Sequence, residues 1–234
     1  MTFPHAKLFI KNGLAALLGL VALAPSAHAD MVLSQVIVDM KPDAAEFEDI
    51  EVYNDGEERL FVAVEPSRIE DPGQRGETRV REPDPSALGL LVSPQRLVLE
   101  PNQRRIVRVA AIGERGSTDK VYRVAIKPVV GQLSAGSTAL KVLVGYDALV
   151  LLRPKTISGG VTATREGRKL TFHNASNTAQ EIYDGQQCVA GKPCARLPAK
   201  RVYAGVDWAV DLPADAPVEF TVSDGTRSRR AVFR

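Results

Sequence analysis

The sequence predicts a mainly β chain of two consecutive sandwich domains joined by a short hinge, after a cleavable leader. Short apolar or alternating runs bounded by Gly, Pro, Asn and Asp recur along nearly the whole chain. No stretch keeps a sustained helical period. The longest run ends at Arg153-Pro154-Lys155, and a pattern of shorter strands restarts beyond it.

Residues 1–29 read as a secretory signal peptide. Lys7 and Lys11 give the positive start, Leu14 to Ala24 the short apolar run, and Ala27-His28-Ala29 the small-x-small cleavage pattern. That run is too short to span a bilayer, so no retained membrane segment is expected. The leader carries two Lys and no acid, so the remaining chain has 28 basic and 28 acidic residues. A nucleic-acid partner is thereby disfavoured, because phosphate binding needs a concentrated basic excess. About 205 residues remain, enough for two ordinary β domains.

In residues 30–153 the expected strands are Val32 to Val38, Phe47 to Tyr53, Leu60 to Glu65, Leu90 to Val92, Arg96 to Leu99, Arg104 to Ala111, Val121 to Val130 and Leu140 to Leu152. Asn54-Asp55-Gly56 closes one of them, because Asp-Gly tolerates positive φ. Glu70 to Pro85, charged and holding Pro72, Gly73, Gly76 and Pro83, reads as an exposed loop. Pro94 and Pro101 mark further breaks, since proline cannot donate to a ladder. Seven or so strands in roughly 125 residues suggest an immunoglobulin-like sandwich.

Residues 156–234 suggest a second, smaller sandwich. Its strands are Val161 to Thr164, Lys169 to Asn174, Gln180 to Asp184, Lys200 to Tyr203, Trp208 to Leu212, Val218 to Val222 and Arg229 to Phe233. Turns fall at Glu166-Gly167, Asp184-Gly185 and Asp224-Gly225. Cys188 and Cys194 flank a short loop with Gly191 and Pro193. Outside the cytoplasm such a pair reads as a structural disulfide. A zinc site lacks ligands, since only His173 remains after cleavage, and the spacing is not C-x-x-C.

Chemistry is hard to find. His173 is the only imidazole available as a base, and a sheet-surface histidine is its plain reading. No G-x-S-x-G, phosphate-binding glycine loop or H-E-x-x-H occurs. Trp208 reads as a core residue in preference to a sugar platform. An enzyme, a cofactor and a metal are therefore not expected.

Three segments together resemble the PapD-like periplasmic pilus assembly chaperones. They are Leu91-Val92-Ser93-Pro94-Gln95-Arg96-Leu97-Val98-Leu99-Glu100-Pro101, Val121-Tyr122-Arg123-Val124-Ala125-Ile126-Lys127-Pro128, and Gly145-Tyr146-Asp147-Ala148-Leu149-Val150-Leu151-Leu152-Arg153-Pro154. In the second domain, Cys188 and Cys194 with Leu197-Pro198-Ala199-Lys200-Arg201-Val202-Tyr203-Ala204-Gly205 are similar to the alternate, colonisation-factor type.

The resemblance implies a periplasmic protein that binds and stabilises pilus (fimbrial) subunits by donor-strand complementation and hands them to an outer-membrane usher. It also implies a self-capping homo-oligomer. The lending residues would be Leu140, Val142, Val144 and Tyr146, which share one face at period two. The family's basic anchors for the subunit's terminal carboxylate fall on Leu149 and near Gln35 in this chain, so the anchor must differ. Arg123, with Lys127 and Lys141 as backups, takes that role, because it alternates out of the strand side that holds Tyr122, Val124 and Ile126 and its guanidinium can hold a carboxylate bidentately. The alternative is a structural pilus subunit or adhesin, which would need an N-terminal donor extension; a periplasmic hydrolase would need a catalytic set.

Overall fold

In the computed structural model, residues 31–129 and 143–234 are described. The leader and the expected lending and anchoring residues Leu140, Lys141 and Val142 lie outside them. The regular structure of the described residues is almost entirely strand. The first part holds β1 (Met31–Leu33), β2 (Ile37–Met40), β3 (Phe47–Asn54), β4 (Leu60–Glu70), β5 (Thr78–Val80), β6 (Leu90–Ser93), β7 (Arg96–Leu99), β8 (Arg104–Ala111), β9 (Lys120–Pro128) and β10 (Tyr146–Leu152). A single helical turn, Pro85–Leu88, is capped by the Asp84 side chain and ends at Gly89 in the left-handed region.

Two sheets face each other. One has the order β1-β3-β8-β6, and the other β2-β10-β9-β4-β5, with β7 also paired to β4. Alternation sends Ile50, Val52, Val107 and Val109 inward from the first sheet, and Val62, Val64, Tyr122, Val124 and Ile126 inward from the second. Each such side chain contributes roughly 1.5–3 kcal/mol by leaving water. This is an immunoglobulin-like sandwich.

The first strand departs from expectation by breaking in two. β1 pairs antiparallel with β3, whereas β2 pairs in parallel with β10 in the opposite sheet. The crossing occupies Ser34 to Val36: the Ser34 N–H still donates to Glu51 O at 3.0 Å, and Val36 O already accepts from Leu149 N–H at 2.9 Å. The segment expected as a loop, Glu70 to Pro85, contains the end of β4 and all of β5. β10 begins only at Tyr146.

The second part holds β11 (Val161–Glu166), β12 (Lys169–Asn174), β13 (Gln180–Gln187), β14 (Ala195–Arg196), β15 (Lys200–Val202), β16 (Asp207–Asp211), β17 (Val218–Ser223) and β18 (Ser228–Phe233). Its sheets run β11-β12-β16 and β14-β13-β17-β18, with β15 on β13. Phe172 centres this smaller core. Trp208 stacks on it at 5.5 Å between ring centroids, and Phe220 and Phe233 meet it edge-on at 5.2 and 5.0 Å. Trp208 is thus used in packing. Cys188 and Cys194 are bonded, closing the loop from β13 to β14.

The two sandwiches meet on Arg153, whose side chain is only 1% exposed. Its Nε and Nη2 donate to the Asp39 carboxylate of β2 at 2.6 and 3.1 Å. Its Nη1 donates across the boundary to Thr178 Oγ1 and Ala179 O at 2.7 and 3.0 Å. Gly225 lies so close that a Cβ there would stand 2.5 Å from the guanidinium carbon, and its φ is +84°. Asp119 adds acceptors for Thr178 Oγ1–H and Ala179 N–H; burial pushes its carboxyl above the usual range despite those bonds. Beside this polar knot, Ile69, Val121, Leu149, Leu151 and Ala179 form a small apolar cluster against Tyr203.

Arg153→Met should lower unfolding free energy in urea by about 3 kcal/mol, because Asp39 is left beside the interface without its partner. Gly225→Ala should destabilise too, through both the contact and the backbone angle.

Candidate functional site

β10 is covered unequally on its two sides. Along β9 it is paired throughout, from Tyr146↔Ile126 to Leu152↔Lys120. Along β2 pairing starts only at Leu149↔Ile37 and ends at Leu152↔Met40. Leu149 N–H points towards β2. By the two-residue repeat, the N–H and C=O of Asp147 point to that same side, before β2 has begun. Among the described residues, Tyr146 to Ala148 therefore form an open edge, the feature that lets another strand add to a sheet.

The flank of this edge is apolar. Val144 is 49% exposed, and Val36 and Ile37 are also exposed at the start of β2. Gly145 lets the chain pass close to β9: a Cβ there would sit 3.1 Å from Lys127 Cβ. Tyr146 behaves differently from Val144. Its ring packs against the first core and its hydroxyl donates to Met31 O at 2.9 Å, so it serves this sandwich. Ala148 to Leu152 are all buried.

A charged array lies on the outer face beside the edge. Asp147, Ala125 and Glu65 stand in register across β10, β9 and β4. Arg123 and Lys127 flank Ala125 on that face, two residues to either side. Lys127 Nζ lies 2.9 Å from Glu65, holding that carboxyl below its usual range, and Arg81 approaches the same carboxylate at 3.9 Å. Arg79 Nη2 lies 2.7 Å from the Asp147 carboxylate. Arg123 Nε is 3.9 Å from it, and Arg123 Nη1 donates to Asp147 O at 3.3 Å. Four cations thus share two carboxylates.

The structure brings Arg123 and Lys127 together and adds Arg79 and Arg81, which sequence reasoning missed inside the supposed loop. Their only signal was the short alternation Thr78-Arg79-Val80-Arg81, which becomes a strand by pairing with β4. The turn before β5 leans on the second sandwich, where a Cβ on Gly73 would stand 2.9 Å from the Tyr203 ring. At the two positions where a basic anchor is missing, Leu149 is buried in the cluster between sandwiches and Gln35 Nε2 donates to Asp49 O at 3.1 Å. His173 lies away from this array, its Nδ1 2.6 Å from Asp207 on the exposed face of β12 and β16. No helix among the described residues is long and apolar enough to cross a membrane.

By sequence, no family model and no curated protein matches the chain. By structure it is similar to the class 5 fimbriae chaperone CfaA, at 19% identity and TM-score 0.61 over 87% of this chain and 99% of that one. It is similar also to the SafB chaperone solved with the Salmonella enterica SafA pilin, at 18% identity and TM-score 0.60 over 88% and 97%. The E. coli chaperone DraB follows at 17% identity and TM-score 0.59 over 87% and 97%. The fold is that of these fimbrial chaperones, matched over at least 97% of each of them.

The different surroundings of Val144 and Tyr146 separate two variants. Val144→Asp should leave the thermal unfolding midpoint within a degree or so of the parent, because its side chain is largely in water. Tyr146→Asp should lower it clearly, by several degrees, because a carboxylate would face the core.

Proposed function

We propose that this chain, built on the fimbrial chaperone fold, is a non-enzymatic periplasmic chaperone for pilus subunits. The observation that carries the reading is the open edge of β10 at Tyr146 to Ala148, approached through exposed Val144. A sandwich that lacks a strand exposes an apolar groove and unpaired backbone groups. An added strand satisfies both at once: the backbone groups pair, and alternate side chains fill the groove. Three or four apolar residues at roughly 1.5–3 kcal/mol each would outweigh part of the ordering cost of association.

Two structural neighbours support a chaperone over a pilus subunit. SafB was solved in complex with a pilin, and a further neighbour, CsuC of Acinetobacter baumannii, with the tip subunit CsuE. The proposed action is in the periplasm, with delivery to an outer-membrane usher as the next step; the structural neighbour SfaE, a periplasmic chaperone, supports that location. The lending stretch is Leu140 to Val144 together with the open edge, and Tyr146 is its fixed end. Arg123 anchors the guest's terminal carboxylate, with Lys127 on the same face of β9.

The test is co-purification of the tagged protein from periplasm, followed by identification of the small secreted protein that accompanies it. Asp at Val142 and Val144 together should leave the chaperone folded and abolish recovery of a pilin; wild-type pilin levels would overturn the strand assignment. Arg123→Ala should weaken capture about tenfold, and normal capture would move the anchor elsewhere.

A further inference from the structure

We infer that Asp147 is a built-in place-holder carboxylate, which pins Arg79 and Arg123 at the open edge until a guest's terminal carboxylate takes its position. The inference rests on the strand-lending reading and names the residues that would select a free chain end.

Asp147 is the acidic residue of β10, and its backbone groups face the uncovered side while its side chain lies on the cationic face. Its carboxylate meets Arg79 at 2.7 Å and has Arg123 Nε 3.9 Å away, and its carbonyl accepts from Arg123. Two arginines from separate elements thus converge over the outer face of β10, beside the edge along which an added strand would run. The hairpin of β4 and β5, which leans on Tyr203 of the second sandwich, brings Arg79 to Arg123 of β9.

The pairing is of the exchangeable kind. Side-chain exposures are 40% for Arg79, 34% for Arg123 and 43% for Asp147, and ion pairs this open are worth about 0–1 kcal/mol. Arg153 shows the opposite case, 1% exposed and bonded through all three nitrogens. Each guanidinium carries five N–H donors. Among the described residues, Arg79 hydrogen-bonds through Nη2 alone and Arg123 through Nη1 alone. Donors remain for a second carboxylate, and the neighbouring Glu65 already has Lys127 and Arg81.

An internal carboxylate in this place has a definite consequence. It holds the arginines extended in the free protein and competes with the guest for them. Neutralising it should strengthen binding of a free chain end and leave a blocked end unaffected.

The probe is a fluorescent synthetic strand peptide of alternating valine and threonine, made once with a free C-terminal carboxylate and once as the amide. At low salt, Asp147→Asn should bind the carboxylate peptide several-fold more tightly than the parent protein and the amide equally well. Arg79→Gln should bring carboxylate binding down to the amide level, and added salt should shrink both differences. An Asp147→Asn protein with unchanged or weaker carboxylate binding, or with the same gain for the amide, overturns the place-holder while leaving the open edge standing. Failure of the parent and both variants to bind either peptide overturns the strand-lending reading itself.

Discussion

The guanidinium of Arg153 is the contact on which the arrangement depends. It closes the end of β10, holds Asp39 of β2 through two nitrogens and reaches Thr178 and Ala179 of the second sandwich with the third. β2 is thereby fixed against the last four residues of β10 and no others. Arg115, itself buried, ties the same corner by donating to Met40 O and Arg153 O at 2.9 and 2.8 Å. With β2 held in that register, Tyr146 to Ala148 have, among the described residues, a strand neighbour on one side only. A desolvated ion pair is a poor source of net stability but a good source of a unique geometry, and its full complement of partners here fits that use.

An exposed strand edge is normally a hazard, which proteins blunt with charge, bulges or cover. Here the charge lies beside the edge instead of across it. Asp147 and Glu65 are shared among Arg79, Arg81, Arg123 and Lys127 on the outer face, while the edge itself keeps Val144 and Ile37 in water. On the proposed reading, the apolar side chains would supply affinity for an added strand, and the cations a position for its end. Tyr146 sits at the junction, buried enough to fix where the sandwich stops and the lending stretch starts.

Much of this could be read from residue order, because most of it is local. Alternation in Tyr122, Val124 and Ile126 placed Arg123 on the outer face, and the structure puts it there. Cys188 and Cys194 as a disulfide and Trp208 in a core were similarly legible. The unread features depend on distant partners. Val32 to Val38 is interrupted only by Ser34-Gln35, and two polar residues do not by themselves say that the chain changes sheets there; pairing with Glu51 and Leu149 decides that. β5 is three residues, Thr78-Arg79-Val80, within a charged segment, and they become a strand only against Arg68 to Glu70. Arg79 and Asp147 meet across 68 positions of sequence. Arg153 looked like hinge punctuation because its partners, Asp39 and Thr178, come from two different sandwiches.

The most direct measurement is amide hydrogen exchange at Asp147 in the chaperone alone and with a captured pilus subunit. An added strand must take up the groups on the uncovered side of β10, so exchange at Asp147 should slow at least about tenfold on binding, while Leu149, already bonded to Val36, changes little. Unchanged exchange at Asp147 in a complex that demonstrably holds a subunit would contradict strand lending at this edge.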